Sequence, residues 1–147
     1  MEFHDRHDAG RRLAQQIIPM GISQPVVIAL PRGGVPVAYE IARALRAQLD
    51  VLIVRKIGAP QNPEYGIGAI AEGYNGLINT GELTRLGISF EQLEEIVRHE
   101  REDLERRRAR LRDPFPQIDV ADRPVILVDD GLATGVTATA AARALTS

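Results

Sequence analysis

The sequence predicts an α/β fold built on a parallel sheet. Three short apolar runs rich in β-branched residues predict strands that are covered on both faces: 25–30 (PVVIAL), 50–54 (DVLIV) and 125–128 (VILV). A helix-compatible segment that begins at Pro36 lies between the first two runs. Strand, helix and strand in this order form the repeating unit of parallel sheets, because parallel neighbours need a crossover connection.

Composition predicts one cytoplasmic domain over residues 1–147. The chain is 44% hydrophobic and 26% charged, which is typical of a globular domain of this size. The absence of cysteine excludes disulfides and thiolate metal sites and suits a reducing compartment. A net charge of −2 gives no positive field for nucleic acid, and no apolar stretch approaches the roughly 20 residues of a membrane span. We therefore expect a small-molecule or protein partner, and neither nucleic acid nor membrane.

The segment 57–117 interrupts the predicted sheet as one long insertion. The run KIGAPQNPEYG (56–66), which leads into this insertion, is rich in glycine and proline, which predicts an irregular, mobile loop. The next part, 66–80, predicts a hairpin that turns at 72–75.

Three further helices are predicted, over 8–18, 89–113 and 136–145. The long middle helix has the clearest start, because Ser89 and Gln92 have the spacing of a capping box. An apolar stripe with a seven-residue spacing follows, which is too short to predict a coiled coil. It is a candidate contact for the hood or for the partner subunit of a homodimer. Its residues are Phe90, Val97, Leu104 and Leu111.

The strongest functional pattern is VILVDDGLATGVT, which places two acids directly after an apolar strand. One structural alternative is a hairpin turn at Asp130 and Gly131. This alternative is disfavoured, because the residues after Gly135 are alanine-rich and suit a helix. A second alternative is a threonine cap for that helix, with both acids as solvated turn residues.

The functional interpretation accounts for more of these residues at once. The strand would deliver Asp129 and Asp130 to the carboxyl edge of the sheet, where carboxylates can accept hydrogen bonds from sugar hydroxyls. The loop that follows would lead into a helix N-terminus, where free backbone N–H groups favour a phosphate. A ligand with a phosphate at one end and a diol beside it, such as ribose 5-phosphate, fits both features.

VILVDDGLATGVT resembles the signature of the type I phosphoribosyltransferases, which bind 5-phosphoribosyl 1-diphosphate. The resemblance implies a Rossmann-like parallel sheet of that family's fold, with a helical and hairpin hood insertion. It also implies that Asp129 and Asp130 hold the ribose hydroxyls. One departure is Gly131, where the family usually has an aliphatic residue or serine. The residues implied to wrap the 5-phosphate are Ala133, Thr134, Gly135, Val136 and Thr137.

Two further loops match the resemblance. PRGG, taken alone, is an ordinary glycine turn, but the resemblance makes Arg32, Gly33 and Gly34 a pyrophosphate loop, which in several relatives contains a non-proline cis peptide. Arg55 and Lys56, taken alone, are basic residues at a strand tip. The resemblance assigns these two residues to the mobile catalytic loop. All three loops are predicted at the carboxyl ends of strands, where open α/β sheets bind ligands.

The resemblance extends over nearly the whole chain. FHDRHDAGRRLA at 3–14 is similar to the start of a bacterial group of predicted phosphoribosyltransferases, in which Phe-x-Asp-Arg recurs. PRGGVPVA and VRKIGAP agree with the same group. Relatives continue beyond the last predicted helix, so we expect the C-terminal part of the fold to be missing from 1–147.

The expected activity is transfer of ribose 5-phosphate from 5-phosphoribosyl 1-diphosphate to a nucleobase or another nitrogen acceptor, with release of diphosphate. The resemblance makes Arg55, Lys56, Asp129 and Asp130 the catalytic residues. Mg²⁺ is expected on the diphosphate and ribose oxygens of the donor, and no protein metal ligands are predicted. The alternative is a regulatory module that binds phosphoribosyl diphosphate or a nucleotide without catalysis.

Overall fold

A computed structural model describes residues 2–112, 117–131 and 135–146. Its backbone divides into two compact units. The first comprises residues 1–52 and 117–132, and the second comprises 53–116 and 133–147. The expectation of a single domain over the whole chain stays a prediction.

The first unit contains the parallel sheet, and the predicted α/β fold is confirmed. Its central strand is β1 (Val26–Ala29), which pairs with β2 (Gln48–Val51) on one side. The last strand of this unit, β6 (Val125–Val128), pairs with β1 on the other side. Every residue of β1 is buried, as expected of a strand covered on both faces.

Two helices of the first unit pack closely against each other. They are α1 (Arg6–Ile17), followed by a short 3₁₀ turn, and α2 (Gly34–Leu45). The contact depends on Gly10, because a Cβ atom there would lie 2.5 Å from the carbonyl oxygen of Val37. Asp5 caps α1, its carboxylate accepting a 2.7 Å hydrogen bond from the backbone N–H of Asp8.

The second unit contains an antiparallel sheet in the order β3 (Val54–Ala59), β4 (Asn62–Ala71) and β5 (Tyr74–Ile78). The prediction of an irregular loop over 56–66 is therefore wrong. Its glycines and prolines belong to a bulged two-stranded ribbon, in which Gly58 lies so close to Pro63 that a Cβ atom would meet the proline carbonyl oxygen at 2.1 Å.

The predicted strand 50–54 is also corrected. The parallel strand β2 ends at Val51, and β3 begins at Val54 in the other sheet. Leu52 and Ile53 lie between the two strands, and each is only 1% exposed. The apolar run is continuous because burial continues from one element into the next, and its pattern does not mark the change of sheet.

The remaining elements of the second unit are largely as predicted. The β4–β5 hairpin is confirmed, with its turn at Glu72 and Gly73. A short helix, α3 (Thr80–Leu86), was not predicted, although Asn79 caps its start and Gly87 ends it with a left-handed φ of +66°. The last helix, α5 (Val136–Thr146), is confirmed and contacts the antiparallel sheet.

The long helix α4 (Phe90–Arg112) begins with the predicted capping box. The hydroxyl of Ser89 accepts a 3.1 Å hydrogen bond from the N–H of Gln92, and the amide oxygen of Gln92 accepts a 2.9 Å hydrogen bond from the N–H of Ser89. Its apolar stripe is only partly buried. Leu104 is 1% exposed, whereas Leu111 is 45% exposed. None of the described helices is long and apolar enough to cross a membrane.

Leu104→Ala should destabilise the protein far more than Leu111→Ala. Truncating the buried leucine removes packed methyl groups and leaves a cavity, so we expect a loss of about 2–4 kcal/mol in the free energy of unfolding. The matched change at Leu111 should cost less than about 1 kcal/mol, because that side chain is largely solvated. Urea denaturation measures both, and equal losses would contradict this account of the stripe.

Candidate functional site

Two loops of the first unit leave the same edge of the parallel sheet. Strands β1 and β6 are paired in register, with Ala29 opposite Val128. The PRGG loop follows β1 and the two acids follow β6, and the N–H of Leu30 donates a 2.9 Å hydrogen bond to the carbonyl oxygen of Val128. The structure therefore brings the two loops together at the carboxyl ends of neighbouring strands, as predicted.

The two glycines of the PRGG loop lie directly against the acidic turn. A Cβ atom at Gly33 would meet Oδ2 of Asp130 at 2.0 Å, and one at Gly34 would meet the carbonyl oxygen of Val128 at 2.7 Å. Neither position has room for a side chain. The peptide bond between Pro31 and Arg32 is cis, as the family resemblance implies for this loop.

Asp130 also contacts an arginine from the N-terminal helix. Arg6 donates two hydrogen bonds to Oδ2 of Asp130, from Nη2 at 2.9 Å and from Nε at 3.2 Å. These bonds hold the pKa of Asp130 below its ordinary value, because they favour the charged form of the carboxyl group.

The pKa of Asp129 is displaced in the opposite direction, above its ordinary value. Burial is the largest cause that raises the pKa of Asp129, since a charged carboxylate loses solvation there. The 2.8 Å hydrogen bond that Asp129 Oδ1 accepts from the N–H of Asp130 acts in the other direction. Two adjacent carboxyl groups thus have pKa values that are displaced in opposite directions.

A cavity of 330 Å³ adjoins the two acids within the first unit. We call it the acid pocket. Its walls combine the carboxyl groups with the mainly apolar face of the N-terminal segment, so it has both polar and apolar surface. It is lined by Phe3, Asp5, Arg6, Ala9, Leu13, Val37, Asp129 and Asp130.

The predicted phosphate loop lies partly outside the described residues. Ala133 and Thr134 are not described. Gly135 has a left-handed φ of +80°, and Val136 and Thr137 form the first turn of α5, both half-buried. The helix start predicted after the glycine is therefore confirmed, while the role of these residues in binding a phosphate stays a prediction.

Arg55 and Lys56 are not at the end of a parallel strand, so their predicted placement is wrong. Both lie inside β3 of the second unit. Arg55 forms ion pairs with Glu100 at 2.9 Å and Asp103 at 3.5 Å on α4. Lys56 donates a 3.0 Å hydrogen bond to the carbonyl oxygen of Glu64. Both cations therefore have partners inside their own unit. Arg55 pairs with carboxylates of α4, and Lys56 bonds to a backbone carbonyl oxygen of β4.

Arg6 is the functional candidate that sequence reasoning missed. The Phe-x-Asp-Arg pattern resembles the start of a bacterial group of the family, but it gives no indication that the arginine reaches the acid after β6.

The histidines of the same segment are not grouped with further metal ligands among the described residues. His7 Nδ1 lies 3.1 Å from Oε1 of Glu40, and in the described part of the chain no group of three or more His, Cys, Asp or Glu residues is placed to hold a metal ion.

Comparison with known proteins assigns the family. The sequence profile described as the phosphoribosyl transferase domain matches residues 2–147, and the chain belongs to that family. Two curated proteins from two strains of Mycobacterium tuberculosis, provisionally named as phosphoribosyl transferases, are each 43% identical over 139 residues, which is 95% of this chain. The chain spans 31% of the length of these relatives.

A solved structure extends the similarity to the fold. The crystal structure of TT1426 from Thermus thermophilus is 42% identical in sequence, with a TM-score of 0.81. The match covers 99% of this chain and 69% of that one.

Gly33→Ala should separate Asp130 from Arg6. The new methyl group would occupy the position of Oδ2, and the short carboxylate side chain can move more easily than the backbone of two strands. Without the arginine hydrogen bonds, the pKa of Asp130 should rise towards its ordinary value, as measured by NMR titration of the carboxyl carbon. Gly131→Ala is the control, because a Cβ atom there meets nothing within 4 Å. An unchanged titration in Gly33→Ala would contradict the geometry.

Asp129→Asn should raise the melting temperature at pH 7. The folded-state pKa of Asp129 is raised by burial, so the ionised form destabilises the folded state above that pKa. At a pH below the unfolded-state pKa the carboxyl group is neutral in both states, and the advantage of asparagine should vanish. Thermal unfolding at pH 7 and near pH 3 measures the difference, and a larger advantage at the lower pH would contradict the sign.

Proposed function

We propose that the protein transfers ribose 5-phosphate from 5-phosphoribosyl 1-diphosphate to a nitrogen acceptor, such as a nucleobase, and releases diphosphate. The observation that carries the proposal is the contact of Asp130 with Gly33, which joins the acidic turn to the glycine loop at one edge of the sheet. Membership of the phosphoribosyl transferase domain family supports the same donor. The names of the Mycobacterium proteins support a transferase.

In this proposal the two acids hold the ribose of the donor. Carboxylates accept hydrogen bonds from neighbouring hydroxyls, and a carboxylate kept ionised is the stronger acceptor. Arg32, Gly33 and Gly34 would contact the diphosphate, with the glycines allowing the backbone to approach the anion. Ala133, Thr134, Gly135, Val136 and Thr137 would surround the 5-phosphate at the start of α5.

The chemical step needs little covalent participation by the protein. The acceptor nitrogen forms a bond to C1 of the ribose while the bond from C1 to the diphosphate oxygen breaks, and the electron pair of that bond leaves with the diphosphate. Positive charge develops on the sugar ring as the leaving group departs, so nearby carboxylates stabilise the transition state. Fixing donor and acceptor in one geometry lowers the barrier further.

Mg²⁺ fits the proposed site as a partner of the donor. The ion would be held mainly by the diphosphate and ribose oxygens of the donor, because hard oxygen ligands suit Mg²⁺. When bound, it would neutralise charge on the leaving diphosphate.

A second candidate function is a module that binds the donor without catalysis. It is favoured by the placement of Arg55 and Lys56, which lie inside β3 and have an ion-pair partner on α4 and a hydrogen-bond partner on β4, respectively. In the family resemblance these residues belong to a mobile catalytic loop.

The remaining expectations, a cytoplasmic location and a homodimer, are likewise proposals.

Donor binding and turnover separate these functions. We expect calorimetry to detect binding of 5-phosphoribosyl 1-diphosphate with Mg²⁺, and addition of nucleobase acceptors to release diphosphate. Asp130→Asn should weaken donor binding about 10- to 100-fold, because it removes a charged hydrogen-bond acceptor. Asp119→Asn is the matched control, since Asp119 lies in an exposed turn and bonds only to the N–H of Ala121 in the described chain.

Binding without diphosphate release from any acceptor would favour the regulatory module. Absence of binding would overturn both functions. Equal donor affinities in the Asp130 and Asp119 variants would show that the acidic turn does not hold the donor.

A further inference from the structure

The N-terminal helix delivers one charged side chain to the candidate site. Both contacts of Arg6 go to the same oxygen of Asp130, at 2.9 Å and 3.2 Å, and leave the second carboxylate oxygen outside this interaction. The guanidinium group of Arg6 is 59% exposed and the carboxyl group of Asp130 is 34% exposed. An ion pair this exposed contributes little to folding stability, typically below about 1 kcal/mol, so stability alone is a weak reason for it.

The position of Arg6 is fixed by the packing of its helix. Gly10 allows α1 to lie directly on the backbone of α2 at Val37. On the same helix, His7 and Arg11 both approach the carboxylate of Glu40, at 3.1 Å and 3.7 Å. Because Glu40 is 9% exposed, these contacts anchor α1 at a buried carboxyl group. Arg6 therefore projects from a docked helix rather than from a free N-terminal tail.

We propose that Arg6 is a positioning residue, which fixes the carboxylate of Asp130 so that its second oxygen is presented to a ribose hydroxyl of the donor. The inference rests on the proposed function and adds to it a residue from outside the two loops of the sheet edge. Arg6 itself touches no reacting atom in this scheme. Its effect passes through Asp130.

Steric and electrostatic constraints on Asp130 support this assignment. Oδ2 is confined between the guanidinium group of Arg6 and the Cα atom of Gly33, which limits rotation of the carboxylate. The charged groups around it that the described residues provide are Arg6 of α1, Asp129 of the same turn and Asp5 on the wall of the acid pocket. Arg6 is the cation among these three, and it lowers the pKa of Asp130.

Arg6→Ala, compared with Arg12→Ala, tests the proposal. Arg12 is a matched control, because it lies on the same helix and pairs at 3.2 Å with Asp8 instead of with Asp130. Its guanidinium group also lies over the ring of Phe3 and bonds to the carbonyl oxygen of Glu2. We expect Arg6→Ala to weaken calorimetric binding of 5-phosphoribosyl 1-diphosphate with Mg²⁺ about three- to tenfold, and Arg12→Ala to leave it unchanged. Arg6→Lys should recover part of the affinity, since lysine keeps the charge but loses the paired donors.

A ligand-free measurement separates this inference from the proposed function. NMR titration of the Asp130 carboxyl group should give a higher pKa in Arg6→Ala than in the unchanged protein, and no change in Arg12→Ala. If the unchanged protein binds no donor, the proposed function fails and the positioning role falls with it. If the donor binds but Arg6→Ala leaves both its affinity and the titration of Asp130 unchanged, only the positioning role is overturned. Tighter binding in Arg6→Ala would also overturn it, because Arg6 would then compete with the donor for Asp130.

Discussion

The candidate site depends on the close contact between the carboxylate of Asp130 and the Cα atom of Gly33. Pairing of β1 with β6 places the two loops side by side, but only a residue without a side chain at position 33 leaves room for the acid. The same contact restricts Oδ2 on one side while Arg6 restricts it on the other. Segments that are distant in the sequence therefore converge on one oxygen atom, and its position reflects the docking of α1 as well as the register of the sheet.

The sequence predicted elements well where the signal was local. Ser89 and Gln92 are only three positions apart, and their side chains alone define the start of α4. The change of sheet after Val51 had no such signal, because Leu52 and Ile53 are as deeply buried as strand residues and continue the apolar run. Glycine and proline between 56 and 66 predict a loop, whereas in the structure Gly58 lies at a bulge where the strands approach closely.

Within the site, contacts that follow from the order of the strands were predictable, whereas contacts that depend on the packing of helices were not. The adjacency of the acidic turn and the glycine loop was predictable, because carboxyl ends of neighbouring parallel strands share an edge. The contact of Arg6 with Asp130 was not predictable, since it requires the packing of α1 on α2 through Gly10. Arg55 was misplaced for a related reason. Its charge suggested a ligand, whereas the carboxylates of α4 that pair with it are distant in the sequence.

The electrostatics of the acidic pair are easier to explain by ligand binding than by folding. In the described part of the chain Asp129 forms no ion pair, and its burial disfavours the charged form. Asparagine would keep an acceptor for the N–H of Asp130 without this penalty, so a turn selected only for stability has little need of the acid. A conflict between burial and charge is characteristic of functional sites, where a charged side chain interacts with a ligand. An ionised Asp130 beside a partly desolvated Asp129 can accept hydroxyl hydrogen bonds from a diol. In the proposed function, such a diol would give Asp129 a hydrogen bond in addition to the one that it accepts from the N–H of Asp130.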